Sequence, residues 1–224
     1  YNVAVGYRAL YANELGLSNV GVGSDALSNS HGSFNVSVGH QSGYYANGDT
    51  NVAIGYKALF STDGAEPSNV IAIGFQSALN NAGSEQIAIG TNVLQVAEAA
   101  SGYNIGIGYK SLEALTEGSN NIAIGHKSME NAFQNASSNL AIGHFALRNY
   151  DIASSHNTYA GYNVALGSFA LSGMKIGGHN VGLGVQAGQG GYEQHSSIFI
   201  GYGAGQYANN ITHGIAIGRR AMRY

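Results

Sequence analysis

Apolar residues in this chain fall in short alternating runs, and each run closes on a glycine. The stretch Asn51-Val52-Ala53-Ile54-Gly55-Tyr56-Lys57-Ala58-Leu59 shows the unit in full. Thirteen variants end at Gly6, Gly23, Gly39, Gly55, Gly74, Gly90, Gly108, Gly125, Gly143, Gly167, Gly184, Gly201 and Gly218, at steps of 16 to 24 residues. With that glycine as position zero, positions −3 and −1 are Val, Ile or Leu in every copy. Position −2 is Ala, Gly or Ser in twelve, with Phe199 the exception. Alternation of period two with β-branched residues predicts a strand, with −3 and −1 on one face and −2 on the other. A helix is excluded, because a glycine closing every apolar run costs about 1 kcal/mol each time.

A repeat that recurs this often sets the architecture. Strands this short and this evenly spaced predict an all-β chain, a parallel β-solenoid of about thirteen coils in which each strand pairs with the next. A single repeat domain over residues 1–224 follows, because the motif runs from end to end. Position +3 is Ala or Ser in twelve copies and +4 is mostly Leu or Met, with Leu79 one place late. This segment is expected to be a second strand that sends its large residue into the core. The remaining residues, rich in Gly, Ser, Asn and Asp, are expected to form return turns, the longest over 148–162.

Asn at −4 in nine coils, among them Asn19, Asn35, Asn51, Asn139 and Asn163, predicts an amide ladder along the solenoid. The aliphatics at −3 and −1 are expected to fill the tube. The small residues at −2 are expected to face outward and pack against another copy of the chain.

Asn-Val-Ala-Ile-Gly (51–55), Asn-Ile-Ala-Ile-Gly (121–125) and Asn-Leu-Ala-Ile-Gly (139–143) resemble the head repeats of trimeric autotransporter adhesins. The longer form from Asn51 to Leu59 is similar to repeats of phage tail-fibre-like proteins that end in a self-cleaving chaperone, and the long coils favour that comparison. The resemblance covers essentially the whole chain. It implies a left-handed β-roll, a homotrimer around one axis, and attachment to a host surface receptor or glycan. It also implies an extracellular setting, on a virion tail fibre or a bacterial cell surface. The first residue is Tyr1, so a piece of a longer or processed fibre is expected.

Composition narrows the choice. Only 9% of residues are charged and the net charge is −3, which gives no basic footprint for nucleic acid or an anionic membrane. No apolar run approaches the roughly 20 residues that would span a bilayer as a helix. With no cysteine there are no disulfides and no thiolate metal ligands.

Candidate chemistry is sparse. Gly21/Gly23, Gly106/Gly108 and Gly182/Gly184 imitate a dinucleotide fingerprint, but they are repeat positions without a following helix. His126 and His144 share position +1 in consecutive coils and should be neighbours, yet no further ligand stands near them in sequence. The twelve acids recur at no spacing that would pair carboxylates across a cleft. No catalytic, cofactor or metal residue is assigned. Tyrosine is enriched at +1 and in turns, where amphipathic rings can stack on sugars or on a partner. The candidate receptor or glycan contacts are Tyr150, Tyr159, Tyr162, Tyr44 and Tyr45. The expected role is a structural, adhesive fibre module without catalysis. A β-solenoid ice-binding protein and a polysaccharide-cleaving tail spike are the alternatives.

Overall fold

The computed structural model describes residues 1–62, 64–96, 101–131, 136–148 and 161–223. Two compact units divide the chain, Tyr1–Tyr109 and Lys110–Tyr224, and the same repeat builds both. The fold is an all-β parallel solenoid, and no helix occurs among the described residues.

In the first unit the strands are β1 (Val3–Val5), β2 (Val20–Val22), β3 (Val36–Val38), β4 (Val52–Ile54), β5 (Ile71–Ile73), β6 (Ile87–Ile89) and β7 (Ile105–Ile107). They lie side by side in sequence order, all parallel, so that −3 pairs with −3 and −1 with −1: Val3 with Val20, Val52 with Ile71, Ile73 with Ile89. The second unit continues with β8 (Ile122–Ile124), β9 (Leu140–Ile142), β10 (Val164–Leu166), β11 (Val181–Leu183), β12 (Gln194–His195), β13 (Ile198–Ile200), β14 (Ile211–Thr212) and β15 (Ile215–Ile217). Here β8, β9, β10, β11, β13 and β15 follow one another in the sheet, while β12 and β14 form a separate parallel pair.

The faces of the strands are the reverse of the expectation. The small residue at −2 points into the coil: Ala53, Ala72, Ala88, Ala123, Ala141 and Ala165 are buried. The aliphatics at −3 and −1 point outward and are half-buried or exposed, as at Val36, Val38, Ile54 and Ile142. The reason lies on the opposite wall. Position +4 sends Leu27, Leu59, Leu94, Leu112, Met129 or Leu171 into the interior, where each is buried. A β-carbon added at Gly182 would lie 2.8 Å from Leu171 Cγ, so the leucine already fills the space behind the strand. The space directly behind the strand takes one large side chain, and in most coils +4 supplies it.

Phe199 obeys the same rule by exchange. Its coil and the preceding one carry glycine at +4, at Gly205 and Gly188. A β-carbon at either position would collide with the Phe199 ring, which is fully buried. The large residue has moved from the turn to the strand.

The segment after the motif glycine is a run of turns, which corrects the second-strand expectation. In all thirteen coils the residues at +2 and +4 adopt left-handed backbone angles, with φ between 48° and 64°. The amide of +4 still reaches the neighbouring coil, as in Leu27 N–H to the Ser42 carbonyl (3.0 Å) and Leu171 N–H to the Ala187 carbonyl (2.8 Å). Buried serines at +3 add to this link: the Ser77 hydroxyl donates to the Ala88 carbonyl (2.7 Å) and Ser111 to Ala123 (2.8 Å). After Gly74 the buried +4 residue is Ala78, and Leu79 is only half-buried, so Leu79 is no displaced core leucine.

Two positions fix the spacing of coils. The motif glycines have φ between 117° and 139° and stack directly on one another. A β-carbon at Gly39 would lie 2.5 Å from the carbonyl oxygen of Gly55, so glycine is required for both reasons. The Asn ladder exists, but mostly as amide-to-backbone bonds. Asn35 Oδ1 accepts from the Asn51 N–H (2.8 Å), and its Nδ2 donates to the Gly48 carbonyl (3.0 Å) in the next return turn. In the second unit amide pairs join in, with Asn163 Nδ2 donating to Asn139 Oδ1 (3.0 Å).

Two stability outcomes follow. Asn35→Ala leaves the buried Asn51 N–H without its acceptor and is expected to destabilise by about 1–3 kcal/mol in denaturant unfolding. Phe199→Ala is expected to cost about 3–5 kcal/mol. Adding Gly188→Leu and Gly205→Leu restores the pattern of the other coils and should recover much of that loss. Recovery by neither leucine would refute the exchange.

Candidate assembly and contact surfaces

Turning −3 and −1 outward gives each unit a double column of aliphatic side chains. In the first unit it runs from Val3 and Val5 to Ile105 and Ile107, fourteen residues on seven strands. Soluble monomers rarely expose a contiguous apolar patch beyond roughly 300–600 Å². A standard interface buries about 800 Å² per partner, which fourteen side chains reach at roughly 60 Å² each. That is about a third of a Val or Ile surface; six of the fourteen (Val3, Val5, Val36, Val38, Ile54 and Ile71) are at least 36% exposed, and the other eight are half-buried. These aliphatics were read from the sequence as core, so their role as a surface was missed.

Position +1 flanks this face with rings. His40 stacks on Tyr56 (5.6 Å) and Tyr56 on Phe75 (5.2 Å). Adjacent coils also bring His126 and His144 together, at 5.0 Å, as the shared position predicts. Their surroundings are aromatic, with Phe145 4.0 Å from His144 and Phe169 5.4 Å from it. No group of three or more His, Cys, Asp or Glu that could hold a metal occurs among the described residues.

The other flank is position −5, which the sequence reading passed over. It adopts the left-handed conformation in the twelve coils from Ser18 to His213, with φ of 50–61°. Glycine would fit there without strain, yet the column carries Phe34, Tyr103, Tyr162, His179 and His213. Phe34, Tyr103 and Tyr162 are each at least 60% exposed.

The tyrosine candidates separate. Tyr162 is exposed and stacks on His179 with centroids 4.9 Å apart and planes 5° from parallel. Tyr44 and Tyr45 are half-buried in a cluster with Phe60: Tyr44 meets Tyr45 edge-on at 4.7 Å and stacks on Phe60 at 5.3 Å. Lys57 Nζ lies 5.1 Å from the Phe60 ring. That cluster covers the coil edge. Tyr150 and Tyr159, with most of the long return turn, lie outside the described residues.

The other sequence features are absorbed by the scaffold. Gly21 and Gly182 are inward −2 positions, while Gly23 and Gly184 belong to the glycine stack. Asn35, in the glycosylation-type triplet Asn35-Val36-Ser37, is fully buried in the ladder, whereas Asn210, in Asn210-Ile211-Thr212, is exposed. Several acids pair with cations beside +2 and +5: Lys110 with Glu113 (2.9 Å), and Glu130 with both Lys127 (2.8 Å) and Arg148.

Tyr103 has its hydroxyl pKa raised above 10.0, first by a hydrogen bond to Glu85 and then by the charge of that carboxylate. The raised value stabilises the fold below the ordinary tyrosine range, and that contribution is lost as pH rises through the folded-state value. Glu85→Gln removes the charge and should bring the Tyr103 titration back toward 10.0, read by NMR of the ring protons.

In comparisons with known proteins, no family model matches the chain, and neither does any curated protein or solved structure.

Proposed function

We propose that this chain is a structural module of an attachment fibre, a homotrimer that presents loops and coil-edge rings to a host surface receptor or glycan. The observation that carries the reading is the aliphatic face. A double column of Val and Ile turned toward solvent is the inverse of what a monomeric solenoid needs, and three copies around one axis cover it from each chain. The resemblance of Asn51–Leu59 to tail-fibre and adhesin repeats points the same way, as does the extracellular, virion or cell-surface setting it implies. Attachment would arise from several weak contacts acting together on linked copies. No catalysis, cofactor, nucleic acid or membrane insertion is part of this reading. The ice-binding alternative is weakened because the outward columns are Val and Ile, without the hydroxyl ranks such a surface would use.

Sedimentation equilibrium is expected to return the mass of three chains. Ile54→Lys with Ile73→Lys places two charges on adjacent outward positions. The pair should raise the dissociation constant by at least about a hundredfold while the circular dichroism of the coil is retained. A wild-type chain that sediments as one copy would overturn the assembly.

A further inference from the structure

The two flanks of the aliphatic face stand in register, because −5 and +1 bound the same strand in every coil. In the second unit their sizes run in opposite sense. Asn120, Ser138 and Ser196 at −5 lie across the strand from His126, His144 and Tyr202 at +1, whereas the large Tyr162 lies across from Ser168. The other two coils, with His179 and Val185 and with His213 and Arg219, show no such contrast. On the −5 flank the small residues leave a depression of about 360 Å³. Asn120, Ser138 and Tyr162 border it, and its floor is Ile122, Leu140 and Val164 of the outward −3 column. On the +1 flank of the same coils His126 and His144 stand exposed, with ring centroids 5.0 Å apart. Phe145 meets both rings, at 5.5 Å and 4.0 Å.

We infer that in the assembled fibre the His126 and His144 rings of one chain fill this notch on the next chain, while the next chain's Tyr162 covers Ser168 of the first. The inference deepens the assembly reading and rests on it. A threefold axis along the stack sets unlike surfaces together. The +1 flank of each chain meets the −5 flank of its neighbour, and rotation without translation keeps each coil opposite its own counterpart. Large-against-small pairs that lie across a strand within one chain thereby become contacts between chains. The notch is continuous with the aliphatic face, so covering Ile122, Leu140 and Val164 would leave a void beside Asn120 and Ser138 unless a side chain entered it. The two imidazoles are the rings that symmetry brings to that height. A neutral imidazole suits a site with no charged lining residue and an aliphatic floor, and Asn120 and Ser138 supply polar groups that its ring nitrogens can bond. Both surfaces are held before they meet. Tyr162 stacks on His179 with planes 5° from parallel, and the Ser138 N–H donates to the Ser119 carbonyl (2.9 Å). The consequence is a fixed register. The uniform Val and Ile columns would accept a slip of one coil, but these flanks would not. A slip sets His144 against Tyr162 in one direction and leaves Ser168 opposite Ser138 in the other.

The chain has no cysteine, so introduced thiols report the contact cleanly. Ser138→Cys with His144→Cys puts two thiols on opposite edges of β9, and a short bismaleimide that spans the space of the missing ring should join neighbouring chains. Denaturing electrophoresis is expected to show three chains linked covalently, and either single-cysteine chain is expected to run as one. A link in a single-cysteine chain would mean that like flanks meet and would overturn the inference. Filling the notch is the second test. Ser138→Trp should raise the dissociation constant of the assembly at least about tenfold, and adding His144→Ala, which removes the competing ring, should bring it back to within about threefold. Unchanged affinity in Ser138→Trp, or no recovery with His144→Ala, would count against the contact. Sedimentation of the unsubstituted and doubly substituted chains separates the two ideas. A single-chain mass without substitution removes the assembly reading and this contact with it, while a three-chain mass without the covalent link removes only the contact.

Discussion

The space directly behind each strand takes one large side chain at most, and that limit orders the rest of the structure. Position +4 usually takes the room, so −2 must be small. Where +4 is glycine in two consecutive coils, at Gly188 and Gly205, a phenylalanine enters from the strand side instead. The two arrangements differ in which backbone segment carries the bulk and agree in how much is carried. Close packing of this kind leaves no space inside for the Val and Ile columns. They stand outside because the volume is taken, and a solenoid so filled is left with an apolar sheet to cover.

A second constraint acts along the stack. The motif glycines approach so closely that no β-carbon fits between them, and the amides at −4 bridge the same gap with directed hydrogen bonds. Within each unit both tie a coil to the next at fixed distance, and the described strand pairs show no slip: −3 meets −3. Columns of identical chemistry therefore arise without further instruction. A repeated face of this kind suits association of identical copies, since each coil meets its counterpart with the same pair of side chains.

How far the sequence could be read follows from these two constraints. Strand positions, parallel stacking, the glycine requirement and the Asn ladder were legible, because each depends on local spacing and backbone chemistry. The facing of the strands was not. Alternation separates two sets of side chains but is symmetric as to which set is inside. The habit of placing aliphatics within gave the wrong answer. The signal that could have decided it was present at Phe199, where a large residue at −2 coincides with glycine at +4 in its own coil and the one before. The turn run at +1 to +4 was hidden for a different reason. Leucine in a left-handed conformation is uncommon, so Leu27, Leu59 and Leu171 read naturally as strand residues. Of the five tyrosine candidates, composition could not separate the packed Tyr44 and Tyr45 from the open Tyr162, since that difference lies in the neighbouring coil.

The division of positions explains how a rigid repeat can carry changing contacts. Folding fixes −4, −2, 0, +3 and +4 in most coils, and where −2 grows to Phe199 the flanking +4 positions shrink to glycine. Positions −5, +1 and +2 carry no comparable load. There the chain places Tyr, Phe, His, Lys, Glu, Ser and Asn in different order from coil to coil. Surface chemistry is thus set by which residues happen to be neighbours across a coil gap: Tyr162 beside Ser138 gives a notch, Tyr103 beside Glu85 a hydrogen-bonded pair, His126 beside His144 an aromatic cluster. A change at one of these positions alters two local pairs and leaves the interior untouched. Recognition can therefore be rewritten one coil at a time while the stack that supports it stays the same.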